Sequence, residues 1–408
     1  MKNKILYISI ILVFVIFVGV VIFFMKNKTN NEELDEPVVV INTGDFTIDL
    51  LKRINKKENY LISPYSIEVA LDMLRQGTSG TTKEELDKVL PQRNLTISND
   101  KVKISNALFI NDLYKSVIEK TFENNLKNKY NSKVLYDEFK TPKVINDWVK
   151  ESTDGMIEKI LDSIDLEFVL GLANAIAIDA KWVSEFECND TRSEEFNVSN
   201  NKTINVEMMH KFYKTNLKYL DEENIKGVII PYQEDLEFVA LLPKEDLRDY
   251  ISNLTKEELT KDLSNFKDIA SDERVNLSLP RFSYEYDIDN FITILRNLGI
   301  NKVFDSAEAD FSKIITKENL NKLGKENIYV SDAIHKTYID LNEKGTKAAA
   351  VTYFGMKALG AFIDDKMIDI EFNRPFMYMI RDNKTSEILF LGSVYEPNKW
   401  RGTTCKKD

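Results

Sequence analysis

The sequence predicts an α+β fold built as one large domain. Helical patterns dominate the first half of the chain and strand patterns the second. From about Asn42 to Pro397 no second polar linker and no internal repeat interrupts them. With 408 residues, 43% of them apolar, the chain can bury a large core.

In chain order, the first element is Ile5 to Met25, an uncharged apolar run with Lys2 and Lys4 before it and Lys26 and Lys28 after. At 1.5 Å per helical residue it is long enough to cross a ~30 Å hydrocarbon core. It ends Val21-Ile22-Phe23-Phe24-Met25, a poor small-x-small cleavage site, and no lipid-accepting Cys follows. Residues 1–25 therefore read as a retained transmembrane anchor, with a cleaved signal as the alternative, and lysines on both sides leave the orientation open. Residues 26–41 form a polar, acidic linker, 42–398 the folded domain and 399–408 a C-terminal tail. The domain is expected outside the cell, held by the anchor or secreted.

Inside the domain, Ile67, Ala70, Leu71 and Leu74 repeat at helical spacing, and Ser63-Pro64 is a helix start, so Pro64 to Gln76 is a helix. Thr82-x-x-Glu85 has the form of a capping box. Asn146 to Leu161 and Ile288 to Leu298 read as helices, the second closed by Gly299. Leu170 to Ile178 is an almost unbroken apolar run, as in a strand buried on both faces. Val228 to Tyr232 with Glu237 to Leu242, and Met377 to Ile380 with Ile388 to Val394, are two hairpins; Val275, Leu277 and Leu279 alternate as in a strand. One stretch resists assignment. In Leu341 to Gly355, Lys347 to Ala350 favour helix, Val351 to Phe354 favour strand, and Gly345 and Gly355 punctuate both ends.

The composition narrows the chemistry. The net charge of −11 and the lack of a basic stripe exclude nucleic acid as a partner. Cys188 and Cys405, the only cysteines, are too far apart in sequence for a framework or a metal spacing and read as two inert thiols. There is no nucleophile elbow, zinc-binding helix or phosphate-cradling glycine loop, so no metal, cofactor or enzyme activity is expected. His210 and His335 are the only imidazoles. His335 falls in a strand predicted over Asn327 to Leu341, on one face with Ala333, Thr337 and Ile339. It reads as a hydrogen-bonded core histidine rather than a base.

Asn59 to Leu86, Ile145 to Leu161, Leu172 to Trp182, Ala333 to Thr352 and Phe372 to Ile380, in this order and spacing, resemble segments of the serpin family, and the resemblance covers about Asp45 to Pro397. Asn59 to Leu86 (NYLISPYSIEVALDMLRQGTSGTTKEEL) is similar to the segment that begins in the serpin shutter. Ile145 to Leu161 is similar to the helix across the main sheet, and Leu172 to Trp182 (LANAIAIDAKW) to the strand that leads to the breach. Ala333 to Thr352 (AIHKTYIDLNEKGTKAAAVT) resembles the strand and hinge entering the reactive loop, and Phe372 to Ile380 the segment after it. The resemblance implies a large central β-sheet with further sheets, about eight or nine helices, and an exposed reactive-centre loop near residues 343–371. It implies a suicide inhibitor of proteases. The target's nucleophile attacks the loop and forms an acyl-enzyme. The cut loop then inserts into the main sheet and carries the protease across roughly 50 Å, ~15 residues at ~3.3 Å each.

On this resemblance Ser63, Ser66, Asn174 and His335 match the shutter cluster and Trp182 the breach tryptophan. Glu343, Gly345, Thr346, Lys347, Ala348, Ala349 and Ala350 match the hinge. Counting from Gly345 puts the reactive bond at Leu359-Gly360; because the stretch from Gly360 to Phe372 is longer than usual, Lys357 and Phe362 are the alternative recognition residues. The undecided stretch then has a reason: strand alternation puts the small side chains Thr346, Ala348, Ala350 and Thr352 on one face and Lys347 on the other. Small residues can enter a gap between strands without overpacking the core. Lys347 stands where the family has an acid. The expected partner is a serine protease with an apolar primary pocket, with a cysteine protease as the other candidate. The chain between Leu90 and Lys103 is too short for a full heparin-binding helix and has no basic cluster, so no heparin is expected. The expected state is a monomer, and the other reading is a non-inhibitory serpin acting as a surface binding protein.

Overall fold

Eighteen strands, β1 to β18 in chain order, and nine α-helices make up the described part of the computed structural model, residues 45–90, 102–165, 167–346 and 365–399. The largest sheet is antiparallel, in the order β1 (Tyr60–Ile62), β18 (Ile388–Val394), β17 (Phe376–Asp382), β10 (Leu236–Pro243), β9 (Ile225–Pro231), β8 (Lys218–Asp221) and β11 (Lys267–Asp268). Both hairpins read from the sequence are here. Glu234 and Asp235 turn β9 into β10 with φ of +63° each, and the Asp382 carboxylate accepts the N–H groups of Lys384 and Thr385 to turn β17 into β18. Every residue of β17 and β18 is buried.

A second sheet runs β16 (Lys366–Glu371), β12 (Glu273–Pro280), β7 (Lys202–Tyr213) and β6 (Thr191–Ser199), with β16 parallel to β12. The remaining strands form two sets: β3 (Lys133–Asp137), β2 (Val102–Asn111) and β4 (Leu170–Ile178); and β13 (Phe282–Asp287), β14 (Lys336–Asn342), β15 (Gly345–Thr346) and β5 (Ala180–Lys181). The helix Pro64–Arg75 packs against both β4 and β18 and so joins the first of these sets to the large sheet. The helix Lys143–Ser152 covers β2 and β4, driving Ile145, Trp148 and Val149 onto Phe109 and Phe139; the Trp148 and Phe109 rings meet edge to face at 5.6 Å.

Several sequence readings need correction. Thr82 and Glu85 form no capping box. Ser79 stands at the N-cap position of the helix Gly80–Val89 without a side-chain cap bond, and Thr82 lies inside the helix, accepting the Asp310 N–H at 3.0 Å; Glu85 accepts the N–H groups of Asn301 and Lys302. Both side chains serve partners more than 200 residues away, which a local motif cannot reveal. The helix read over Asn146 to Leu161 ends at Ser152, because Asp154 and Gly155 take left-handed backbone angles and the Asn146 side chain ties down the returning chain at Ile160 and Leu161. The helix read from Ile288 begins at Phe291. The strand read from Asn327 begins only at Lys336. Cys188 is disulfide-bonded, which overturns the inert-thiol reading; Cys405 lies outside the described residues. The ends of the expected loop are also not exposed: Glu343, Gly345 and Thr346 are buried, and Lys366–Glu371 is a strand. Among the described residues no helix is long and apolar enough to cross a membrane, and Ile5 to Met25 lies outside them.

Candidate functional site

After β14 the chain turns back through Glu343 and Lys344, so that Asn342 faces Gly345 and Leu341 faces Thr346. The Asn342 side chain accepts the Lys344 N–H at 3.0 Å and tightens the turn. The other edge of β15 pairs with β5, Gly345 opposite Lys181 and Thr346 opposite Ala180. A short strand is thus seated antiparallel between two others, where the sequence left the segment undecided. Gly345 makes this approach possible. Its φ is +146°, and a Cβ there would meet the Ala180 carbonyl oxygen and lie 2.8 Å from the Lys181 Cα.

Thr346 points inward. It is buried, and its hydroxyl meets the Tyr232 hydroxyl at 2.6 Å. Burial pushes the Tyr232 phenol well above its ordinary pKa, with the Thr346 contact acting against that, so it stays a neutral partner. Thr346 also lines a cavity of about 20 Å³, together with Ile157, Ile178 of β4, Tyr338 and Ile339 of β14, and Phe390.

Trp182 is fully buried beside the turn. It stacks on Tyr232 with centroids 4.2 Å apart and planes 7° apart, and its indole N–H donates to the Asn342 carbonyl at 2.9 Å. Its backbone N–H donates to the Lys344 carbonyl at 3.0 Å. The buried Glu343 carboxylate accepts the Thr191 hydroxyl at 2.5 Å and faces the Arg281 guanidinium at 3.4 Å; its carbonyl accepts the Phe186 N–H at 2.9 Å. Arg281 also faces Glu207 at 3.3 Å. A single guanidinium is thus set between two buried carboxylates, which compensates charges that would be costly alone.

Ser63, Ser66, Asn174 and His335 do converge. Ser63 caps the helix Pro64–Arg75, its hydroxyl accepting the Ser66 N–H, and its own N–H donates to His335 Nε2 at 3.0 Å. The Ser66 hydroxyl donates to Asn174 Oδ1, and the Asn174 amide donates to Asn106 Oδ1 at 2.7 Å. The histidine's Nε2 is therefore an acceptor, and burial pushes its pKa down to about 3. It is a neutral core histidine. The second imidazole, His210, links Ser278 and Glu194 on β7, β12 and β6; Ser278 is buried within a paired strand, where its hydroxyl meets His210 Nδ1 at 3.0 Å.

Sequence reasoning missed Asn106, Thr191, Tyr232 and Arg281. Only Asn106 left a trace, as an amide inside the apolar strand β2; the others are ordinary residues until the fold brings them to the hinge. Lys347 to Ala350, Leu359 and Gly360 lie outside the described residues.

Comparison with known proteins bears on the same region. The family model "Serpin (serine protease inhibitor)" matches residues 42–397. Alpha-1-antichymotrypsin of Homo sapiens is 30% identical over 405 residues, 92% of this chain and 91% of its own length. Among solved structures, the thermophilic serpin tengpin in its native state superposes with a TM-score of 0.74 at 33% identity, covering 87% of this chain and 93% of tengpin. Thyroxine-binding globulin in complex with thyroxine reaches a TM-score of 0.72 at 26% identity, covering 87% of this chain and 98% of its own.

Proposed function

This chain belongs to the serpin family, and from that premise we propose that it is a suicide inhibitor of proteases that traps an acyl-enzyme by inserting its cleaved loop. The observation that carries the proposal is the seat of β15: the hinge enters between β14 and β5, with Thr346 turned into the core. A loop that continued this strand would gain backbone pairing on both edges and bury alternate small side chains. That gain, held back kinetically until the loop is cut, is the driving force of trapping.

The reactive bond in this reading is Leu359-Gly360, and leucine suits chymotrypsin-, subtilisin- or elastase-like primary pockets. Residues 1–25 would hold the inhibitory domain outside the membrane. Incubation with a panel of such proteases should give a complex that survives denaturing gel electrophoresis, and mass analysis of the released C-terminal fragment should place its start at Gly360. A fragment starting at Ala358 would move the bond to Lys357 and the target to trypsin-like enzymes.

A second reading is a non-inhibitory binding serpin, favoured by the likeness to thyroxine-binding globulin. Cleavage of the loop by every protease in the panel without any covalent complex would select it.

A further inference from the structure

The helix Pro64–Arg75 is tied at its start to β14. The Ser63 N–H donates to His335 Nε2 at 3.0 Å, and the Thr337 hydroxyl on β14 donates to the Leu61 carbonyl at 2.8 Å. Strand β4 belongs to a different body. β2 pairs along the whole of β4, from Val102 opposite Ile178 to Ile110 opposite Leu170, and pairs with β3 on its other edge. The helix Lys120–Tyr130 joins this body through its last residue, whose carbonyl accepts the Asn106 amide at 2.8 Å.

Polar bonds cross between the two bodies near both ends of the helix Pro64–Arg75. Near its start the Ser66 hydroxyl donates to Asn174 on β4, a neutral bond. In its last turn Asp72 is buried, and the crossing is charged. The Asp72 carboxylate accepts the Tyr130 hydroxyl at 2.6 Å and the Lys129 ammonium at 2.9 Å from the strand body, and Arg75 Nε at 2.9 Å from its own helix. Burial works against the ionised carboxyl. The bonds from Tyr130 and Lys129 and the charge of Arg75 outweigh it and hold Asp72 below its ordinary pKa. Asn174 donates to Asn106 at 2.7 Å, so the bonds close a ring: Ser66, Asn174, Asn106, Tyr130, Asp72 and back along the helix.

We infer that Asp72, gripped by Tyr130 and Lys129, is a latch that holds the β3-β2-β4 body to the helix Pro64–Arg75 and sets how readily β4 and β14 part. Moving β4 away from β14 shifts its body relative to the helix, so the bonds that cross between them must break. The neutral Ser66–Asn174 bond can be exchanged for another. The Asp72 bonds are harder to give up, because hydrogen bonds to an ionised group are roughly twice as strong as neutral ones and parting takes two partners from a buried charge. Tyr130 is a positioning residue, acting on β4 through Asn106 and β2. The latch stands without the insertion reading above; its effect on trapping rests on that reading.

The test uses the full chain carrying Ala177→Cys, a buried position on β4 that lines one cavity with Ile339 of β14. The thiol is labelled with N-ethylmaleimide at neutral pH and timed from the mass of the peptide that holds residue 177, since it reacts when the strands part. Tyr130→Phe removes the hydroxyl that crosses to Asp72. Tyr136→Phe is the matched control: its hydroxyl also meets a buried carboxylate, Glu123 at 3.1 Å, but β3 and the helix Lys120–Tyr130 that carry them lie on the same body. Tyr130→Phe should label roughly tenfold faster than the parent, and Tyr136→Phe within about twofold of it. Parental labelling of Tyr130→Phe, or equal acceleration in both variants, overturns the latch. In a second arm the parent and Tyr130→Phe are incubated with the protease that the parent traps best. The share of cut chain held in covalent complex should rise in the variant, and a share at or below the parent's overturns the effect on trapping. If no form traps a protease, the insertion reading fails, while the labelling arm still decides the latch.

Discussion

The cluster around Trp182, read from the sequence as the breach, and the cluster around Ser63 and His335, read as the shutter, are built from different chemistry. At the breach, Trp182 stacks on Tyr232, Arg281 faces Glu343, and the backbone passes so close to Ala180 that only glycine fits. At the shutter, Ser63, Ser66, Asn174, Asn106 and His335 pass neutral hydrogen bonds from a helix cap to two strands. Neutral bonds of this kind contribute about 1 kcal/mol each and can be exchanged one for another as strands slide. A buried ion pair cannot: loss of one partner leaves a charge stranded at a cost of about 3–5 kcal/mol. In the proposed insertion, the difference suits the first region to a fixed entry where a strand begins and the second to a yielding middle that lets it pass.

The sharpest way to break this comparison is Thr346→Arg. Its side chain would enter the buried site beside Tyr232, stranding a charge there. The variant should still be cut by the target protease but form no covalent complex, as read on denaturing gels beside the parent; a parental yield of complex would remove the hinge from the insertion path. Next in size, Trp182→Ala should cost about 3–5 kcal/mol, against about 1–2 kcal/mol for Ser66→Ala at the shutter. Denaturant midpoints of the two variants measure this, and equal losses would erase the distinction.

A third effect is specific to the shutter and depends on pH. His335 has a folded pKa of about 3, below its ordinary value of 6.5, because burial opposes the charged form. The unfolded chain therefore binds the proton first. The contribution of the neutral histidine is complete above about pH 6.5 and is lost as pH falls from there toward about 3. Going from pH 7 to pH 5 should cost about 2 kcal/mol. His335→Asn should flatten the dependence of Tm on pH across that window, and an unchanged slope would show that another group titrates. The smallest effect is expected for Lys347→Glu. On the insertion reading, strand alternation would put it on the face opposite Thr346, so stability should change by less than ~0.5 kcal/mol and trapping stoichiometry should match the parent's.

Much of this architecture was legible because its signal is local. Strand β4 runs from Leu170 to Ile178 as its apolar run indicated, although Leu170 to Asn174 are only half-buried and not covered on both faces; both hairpins close where their turn residues stand, and Ser63-Pro64 opens a helix. What was not legible depends on partners distant in the chain. Thr82 and Glu85 look like a cap until Asp310 and Asn301 arrive, and His335 precedes its strand rather than sitting inside it. The family resemblance picked out Trp182 and Glu343 but not Tyr232, Thr191 or Arg281, which hold them. Those three carry no periodic or motif signal; their position across a sheet or beside a turn selects them. The inert-thiol reading of Cys188 failed as well, since nothing in its sequence neighbours signals that it is disulfide-bonded.

The two-residue turn at Glu343 and Lys344 has one more consequence, a matter of parity. With Asn342 opposite Gly345, and Leu341 opposite Thr346, the turn fixes whether odd or even positions of any continuing strand face inward. Adding or removing a single residue between Asn342 and Gly345 would invert that assignment all the way down. In the proposed insertion, Thr346, Ala348, Ala350 and Thr352 would then be turned to water, and Lys347, Val351 and Tyr353 sent toward the core. The composition of the segment would be untouched and its hydrophobicity unchanged, yet it would be out of phase with its slot. In that proposal the small residues matter only through an even or odd count, and that count is set by a turn two residues long.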